Sequence, residues 1–172
     1  MPMKSALLFP FVLCSCLFSL VACNDAEKQA KQSTEALVVP ERALKVYMTE
    51  QINLAGQDFS LWDNGGSCQL QANKGKVRLQ TIELKPKPPC YFMKAPASER
   101  VQIYQRDKNN RVLAVLGTPL DATSPKRCGS ELQGIILNAA GWARLSNLHH
   151  QDRKLCADQG LSNTDYERFA ND

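Results

Sequence analysis

The stretch "VQIYQRDKNNRVLAVLG", residues 101 to 117, sets two arms rich in β-branched and aromatic residues on either side of Asp107-Lys108-Asn109-Asn110. Asp and Asn hydrogen-bond their own backbone two residues on and tolerate tight reversals, so the four polar residues read as a turn and the whole stretch as a β-hairpin. The second arm is apolar from Val112 to Leu116. A strand that hides one face alternates, whereas a continuously apolar one is covered on both faces; this arm is therefore expected to be a central strand.

Upstream the same grammar recurs. In "CQLQANKGKVRLQTIEL", residues 68 to 84, Leu70 and Ala72 share one face of the first arm and Val77, Leu79 and Thr81 one face of the second, joined across Asn73-Lys74-Gly75. The alternate face then shows Lys76, Arg78 and Gln80 to water. "DFSLW" at 58 to 62 puts Phe59 and Leu61 on one side, "DNGGS" at 63 to 67 is turn chemistry of the kind that supplies positive φ, and "LKVYM" at 44 to 48 alternates. "KPKPPC" at 85 to 90 is a stiff connector, since its three prolines lack the donors a central strand needs, and "YFM" at 91 to 93 resumes extended structure.

Downstream, "TPLDATSPKRCG" at 118 to 129 reads as a loop, and "ELQGIILNAAGWARLS" at 131 to 146 as two strands in preference to a short helix. Thr164-x-x-Glu167 has the form of a capping box, which predicts a brief helix beginning near Asp165 with Tyr166, Phe169 and Ala170 as its buried side. The chain has no repeat of 20 to 50 residues, which argues against a solenoid or propeller. The expectation is a mainly β domain over residues 44 to 172, a small antiparallel sheet or a sandwich- or barrel-like arrangement with two disulfides and a short C-terminal helix.

The amino-terminal stretch "LLFPFVLCSCLFSLVAC", residues 7 to 23, decides the compartment. Lys4 favours the cytoplasmic side, and Ala6 to Ala22 is uncharged but shorter than the roughly 20 residues a spanning helix needs, with Pro10 inside it. Leu20-Val21-Ala22-Cys23 resembles the lipobox of bacterial lipoproteins. That resemblance, confined to residues 1 to 25, implies that residues 1 to 22 are a signal peptide and that Cys23 becomes the first residue and carries diacylglycerol. Two or more acyl chains at about 0.8 kcal/mol per buried methylene hold a chain on the membrane, so no spanning helix is required. In that family an aspartate directly after the cysteine favours the inner membrane; Asn24 stands here, which points to an outer-membrane anchor facing the periplasm. Residues 24 to 43 are polar and read as a tether.

Cys14 and Cys16 would leave with the signal peptide, and four cysteines remain beyond Cys23: Cys68, Cys90, Cys128 and Cys156. An even number in an exported chain reads as two disulfides. Of the three possible pairings the local ones are preferred, Cys68 with Cys90 and Cys128 with Cys156, each worth about 3 to 4 kcal/mol in the chain-entropy model. A zinc site would place its thiolates in close pairs and a redox pair would favour Cys-x-x-Cys, and these four cysteines show neither spacing.

Charge is unevenly spread: residues 74 to 111 hold ten basic and three acidic side chains, a balance of +7, while the flanking parts are slightly acidic. Such a skew suits an anionic or acidic partner, and Lys74, Lys76, Arg78, Lys85 and Lys87 are the candidate contacts. Catalytic patterns are harder to find. Gly-x-Ser-x-Gly is missing, and the serines of "GGSC" at 65 to 68 and "GSELQG" at 129 to 134 read as turns beside cysteines. His149 and His150 are adjacent, which on a strand sends them to opposite faces; with Asp152 they would make at most a weak surface metal site and read as a solvated loop. Glu131 and Asp158 are carboxylates that no spacing selects as a glycosidase pair. Phosphate-binding glycine loops are missing too. Nucleic acid is not an expected partner, because Tyr91, Phe92 and Tyr104 fall where strands would bury them.

The sequence therefore points to a lipid-anchored binding module without metal or cofactor: an inhibitor, an immunity factor, or an accessory part of an envelope assembly. Its partner would be an envelope protein or an anionic envelope component. A cell-wall or lipid hydrolase with a nonstandard site near Glu131 or His149 is the alternative of a different class, and a structural lipoprotein a third.

Overall fold

The computed structural model describes residues 45 to 172 apart from Ala122. The expected signal peptide, its lipidated Cys23 and the expected tether lie outside the described residues. The first sheet is an antiparallel meander of β1 (Val46–Leu54), β2 (Gln57–Asn64), β3 (Cys68–Lys74) and β4 (Val77–Glu83), in that order. The second is built around β7 (Arg111–Pro119) and β8 (Cys128–Leu137). On the far side of β7 lie the short strands β5 (Tyr91–Phe92) and β6 (Tyr104–Gln105), and β8 carries β9 (Ala143–His150) and β10 (Leu155–Cys156). A helix, α1 (Asn163–Ala170), closes the chain.

These elements stack in three layers, and the alternation of β7 and β8 assigns the faces. Leu113, Val115, Ile135 and Leu137 pack on Phe59, Leu61, Leu70 and Ala72 of the first sheet. Their alternates Val112, Ala114, Leu116, Leu132 and Ile136 pack on Tyr166, Phe169 and Ala170 of α1. The expected central strand is thus β7, covered on both sides. The mainly β class, both disulfides with the expected pairing, the reading of residues 131 to 146 as two strands, which here extend to Cys128–Leu137 and Ala143–His150, and the buried side of the helix agree with the sequence reading.

Several local expectations are corrected. In "VQIYQRDKNNRVLAVLG" the turn forms, with Asp107 accepting from the Asn109 and Asn110 amides at 2.7 and 2.9 Å, but the first arm pairs only at Tyr104 and Gln105. Val101 bridges back to Lys94 instead. The helix starts two residues earlier than expected. Ser162 is its cap: the hydroxyl accepts from the Asp165 amide at 3.2 Å while the Asp165 carboxylate accepts from the Ser162 amide at 3.3 Å, a capping box with Asp165 in place of the Thr164/Glu167 pair. Ser130 lies inside β8, where its hydroxyl donates to the Thr118 carbonyl at 3.2 Å, and is not a turn serine.

The β4 face is inverted. A bulge between Ala72 and Asn73 sets Ala72 opposite Gln80 and Leu70 opposite Ile82, so Gln80 and Ile82 turn inward while Thr81 and Val77 are exposed. One extra residue exchanges every later side chain between faces. Gln80 is not a solvent-facing residue: its amide donates to the Ala143 carbonyl at 2.8 Å and accepts from the Ala143 amide at 3.0 Å, extending a ladder from β4 across to β9.

Candidate functional site

The five basic residues singled out by charge are all exposed, and the fold divides them into two groups. Lys74 and Lys76 crown the β3–β4 turn with Arg78 beside them, opposite Asn73. Lys85 and Lys87 follow the other end of β4, whose seven residues set the groups about 20 Å apart. The connector backbone is pinned there: the Lys85 amide donates to Gln133 Oε1 at 2.9 Å and the Lys87 amide to Thr118 Oγ1 at 3.0 Å. The tip is a concentrated cationic point on a rigid support, and the connector pair is a separate patch.

Sequence reasoning missed a second constellation. A groove of about 440 Å³ is lined by Lys94, Glu99, Pro125, Lys126, Arg127 and the segment from Cys156 to Gln159. Its floor is Lys94, whose side chain is only 6% exposed, and its ammonium meets Glu50 Oε1 at 3.7 Å and Glu99 on the solvent side. Glu50 is itself 15% exposed; it accepts from the Phe92 amide at 2.7 Å and pairs with Arg127 at 3.4 Å. It reaches this position because a bulge at Thr49 turns Glu50 towards the second sheet, opposite Leu61. Arg127 also lies over the Tyr91 ring, 5.5 Å from its centroid.

The walls are tied to one another through the backbone. The Lys94 amide donates to the Ala157 carbonyl at 2.7 Å, the Ala157 amide to the Arg127 carbonyl at 2.9 Å, and the Cys128–Cys156 disulfide joins neighbouring strands directly behind them. Three segments far apart in sequence thus present their side chains from a preformed frame. The available signal was Lys94 itself, a lysine following the apolar "YFM" where a strand continues into the core.

The histidines occupy the end of β9 and are half-buried, so the expectation of a solvated loop is corrected. They diverge as adjacent strand residues must. His149 faces the first-sheet side with Gln133 opposite and Glu131 Oε2 at 3.4 Å, while His150 lies edge-on to Phe169 at 5.4 Å. Neither histidine lines the groove, and Asp152 is exposed beyond the strand end. Asp158, the other carboxylate noted in the sequence, does line the groove. Among the described residues no three or more His, Cys, Asp or Glu side chains are grouped to hold a metal ion, and no helix is long and apolar enough to cross a membrane.

Burial, and then the positive charge of Arg153, push the His150 imidazole below its ordinary value. A histidine depressed in the folded state contributes stability that is complete above the unfolded value, about pH 6.5, and is lost as pH falls towards the folded value. The urea midpoint is expected to drop between pH 7.5 and pH 5 in the native chain and to drop less in His150→Gln. Equal drops in the two proteins would remove His150 from the account.

None of the family models, curated proteins or solved structures compared with this chain matches it.

Proposed function

We propose that this chain is a cell-envelope lipoprotein that works by binding, anchored through a lipidated Cys23 on the outer membrane and facing the periplasm. It captures an acidic protein or another anionic envelope component. The observation that carries the reading is the cluster of Lys74, Lys76 and Arg78, exposed at the tip of a hairpin whose inner face is packed into the sandwich. A fixed cluster of like charge steers an oppositely charged partner and is not reorganised on contact, which favours fast and selective association. The compartment rests on the lipobox-like Leu20 to Cys23 segment and on Asn24.

The test is capture from native envelope extracts with the detergent-solubilised full chain as bait. The Lys74→Glu, Lys76→Glu, Arg78→Glu triple is expected to cut retention of the captured partner by about tenfold or more, through loss of attraction and added repulsion. Thermal stability should stay within about 0.5 kcal/mol, the usual range for exposed substitutions. The Lys85→Glu, Lys87→Glu pair is expected to have the smaller effect. Unchanged retention by the triple would dismiss the hairpin tip as the recognition element.

A further inference from the structure

The groove around Lys94 is a second feature, separate from the basic hairpin and independent of its partner. A lysine whose side chain is 94% removed from solvent needs compensating acceptors, because an unpaired buried charge is costly. Two cations, Lys94 and Arg127, share Glu50, the one inward carboxylate they meet among the described residues, which leaves one positive charge in excess at the groove floor. The charge is balanced from outside by Glu99, on the short turn between Lys94 and Val101. Glu99 is anchored at one end only: its carboxylate meets Lys94 while the side chain remains 87% exposed.

We propose that the groove binds the free carboxylate of a short peptide, and that Glu99 occupies the carboxylate position until such a ligand displaces it. The charge count selects the ligand. A singly charged carboxylate bridging Lys94 and Arg127 neutralises the floor, whereas a doubly charged phosphate exceeds it. Lys126 and Asp158 at the rim supply a donor and an acceptor for the adjoining peptide group. The cavity volume, about 440 Å³, lies within the range of small-ligand sites. The frame is preformed by the Lys94–Ala157 and Ala157–Arg127 backbone bonds, and the Tyr91 ring fixes the Arg127 guanidinium. Glu99 can be displaced because its own side chain is exposed and regains water on leaving, while the incoming carboxylate takes over compensation of the buried Lys94 charge. The Lys94 ammonium, by its hydrogen bond first and its charge second, holds the Glu99 carboxyl below the usual carboxylate range, so it competes in its ionised form at neutral pH.

The experiment titrates the detergent-solubilised full chain at pH 7 with N-acetyl-Ala-Ala as the free acid and as its amide, followed by calorimetry. The free acid is expected to bind at least about tenfold more tightly than the amide, because the amide cannot make the charge-assisted contacts. Glu99→Gln removes the competitor and should tighten free-acid binding about three- to fivefold, the most that an exposed ion pair typically withholds. Arg127→Gln should weaken it. Lys94→Met should abolish it, with far-UV circular dichroism checking the fold; if that variant does not fold, Arg127→Gln, whose side chain is half-exposed, decides the point. Equal binding of acid and amide, no binding of the acid to the native chain, or a Glu99→Gln variant that binds no more tightly would each overturn the proposal. The hairpin triple substitution should leave the titration unchanged while it cuts partner capture about tenfold or more, so the two proposals fail separately.

Discussion

Replacing Cys68 and Cys90 together by alanine is expected to lower the unfolding free energy by about 3 to 4 kcal/mol from chain entropy alone. The two cysteines are 22 residues apart, and their bridge runs between layers: Cys68 opens β3 of the first sheet and Cys90 stands immediately before β5 of the second. Both are essentially inaccessible, at 0% and 1% exposure, and pack within the core between the sheets. Truncation to alanine therefore also leaves two sulfur-sized gaps among close-packed side chains, a further loss in the same direction. The Cys128–Cys156 bridge closes a similar loop of 28 residues, but it joins residues directly opposite each other on β8 and β10 at the margin of one sheet. Its removal should cost the entropic part with little of the packing part. Guanidinium unfolding of the two double variants beside the native chain checks the ordering. A loss below about 1 kcal/mol for Cys68/Cys90 would mean that the bridge merely decorates a core that holds without it.

The layers were legible because burial writes itself into composition. Val112 to Leu116 has no polar member since both faces of β7 are covered, and Tyr166, Phe169 and Ala170 recur at helical spacing since one side of α1 is. Disulfide pairing followed from loop length alone. Register was not legible where a bulge intervenes: nothing in "QANKGKVRLQ" announces that one residue is left unpaired, yet that residue exchanges the fates of Gln80 and Thr81. The β1–β2 turn was similarly silent. Ala55 takes φ 52° and Gly56 φ 79°, and alanine there lacks the Asn or Asp that usually marks such a turn, so β1 runs to Leu54, well beyond the expected "LKVYM".

The groove was hidden for a different reason. Glu50, the Lys94–Glu99 turn and Arg127 belong to three separate segments, and Glu50 and Arg127 are 77 positions apart. Charge counting placed Lys94 among the ten basic residues of 74 to 111 without distinguishing it from exposed ones such as Lys108, although the Lys94 side chain is buried and is held by two carboxylates. Composition reports how much charge a segment carries. Which charges face each other depends on tertiary pairing, here on a bulge at Thr49 and on the stapled approach of Ala157 to Arg127.

The second large effect is expected at Gly134. On β8 this glycine lies opposite Ala114 of β7, and the two small residues form a shallow seat for the Phe169 ring of α1. A Cβ built on Gly134 would stand 2.5 Å from Phe169 Cγ, 2.7 Å from its Cδ1 and 2.6 Å from its Cβ. No rotamer of Phe169 relieves the last contact, so the helix backbone itself must lift. Yet α1 is tied at several points: Arg153 to Asp165 at 3.0 Å, Tyr104 to Glu167 at 3.1 Å, and Ser146 to the terminal Asp172 at 3.1 Å. Gly134→Ala is therefore expected to cost about 3 kcal/mol, the upper part of the range for overpacking, despite being the smallest possible addition. Phe169→Ala should cost about 3 to 5 kcal/mol by emptying the seat. Combined, the two should cost less than their sum by about 1 kcal/mol, because two of the three close contacts belong to the removed ring. The surviving Cβ contact prevents full rescue, so the double variant should remain less stable than Phe169→Ala alone. Hydrogen exchange should localise the damage, with protection falling in α1 and β9 and persisting in the first sheet. Strict additivity in the cycle, or a Gly134→Ala variant as stable as the native chain, would show that α1 is not seated on β8 through this contact.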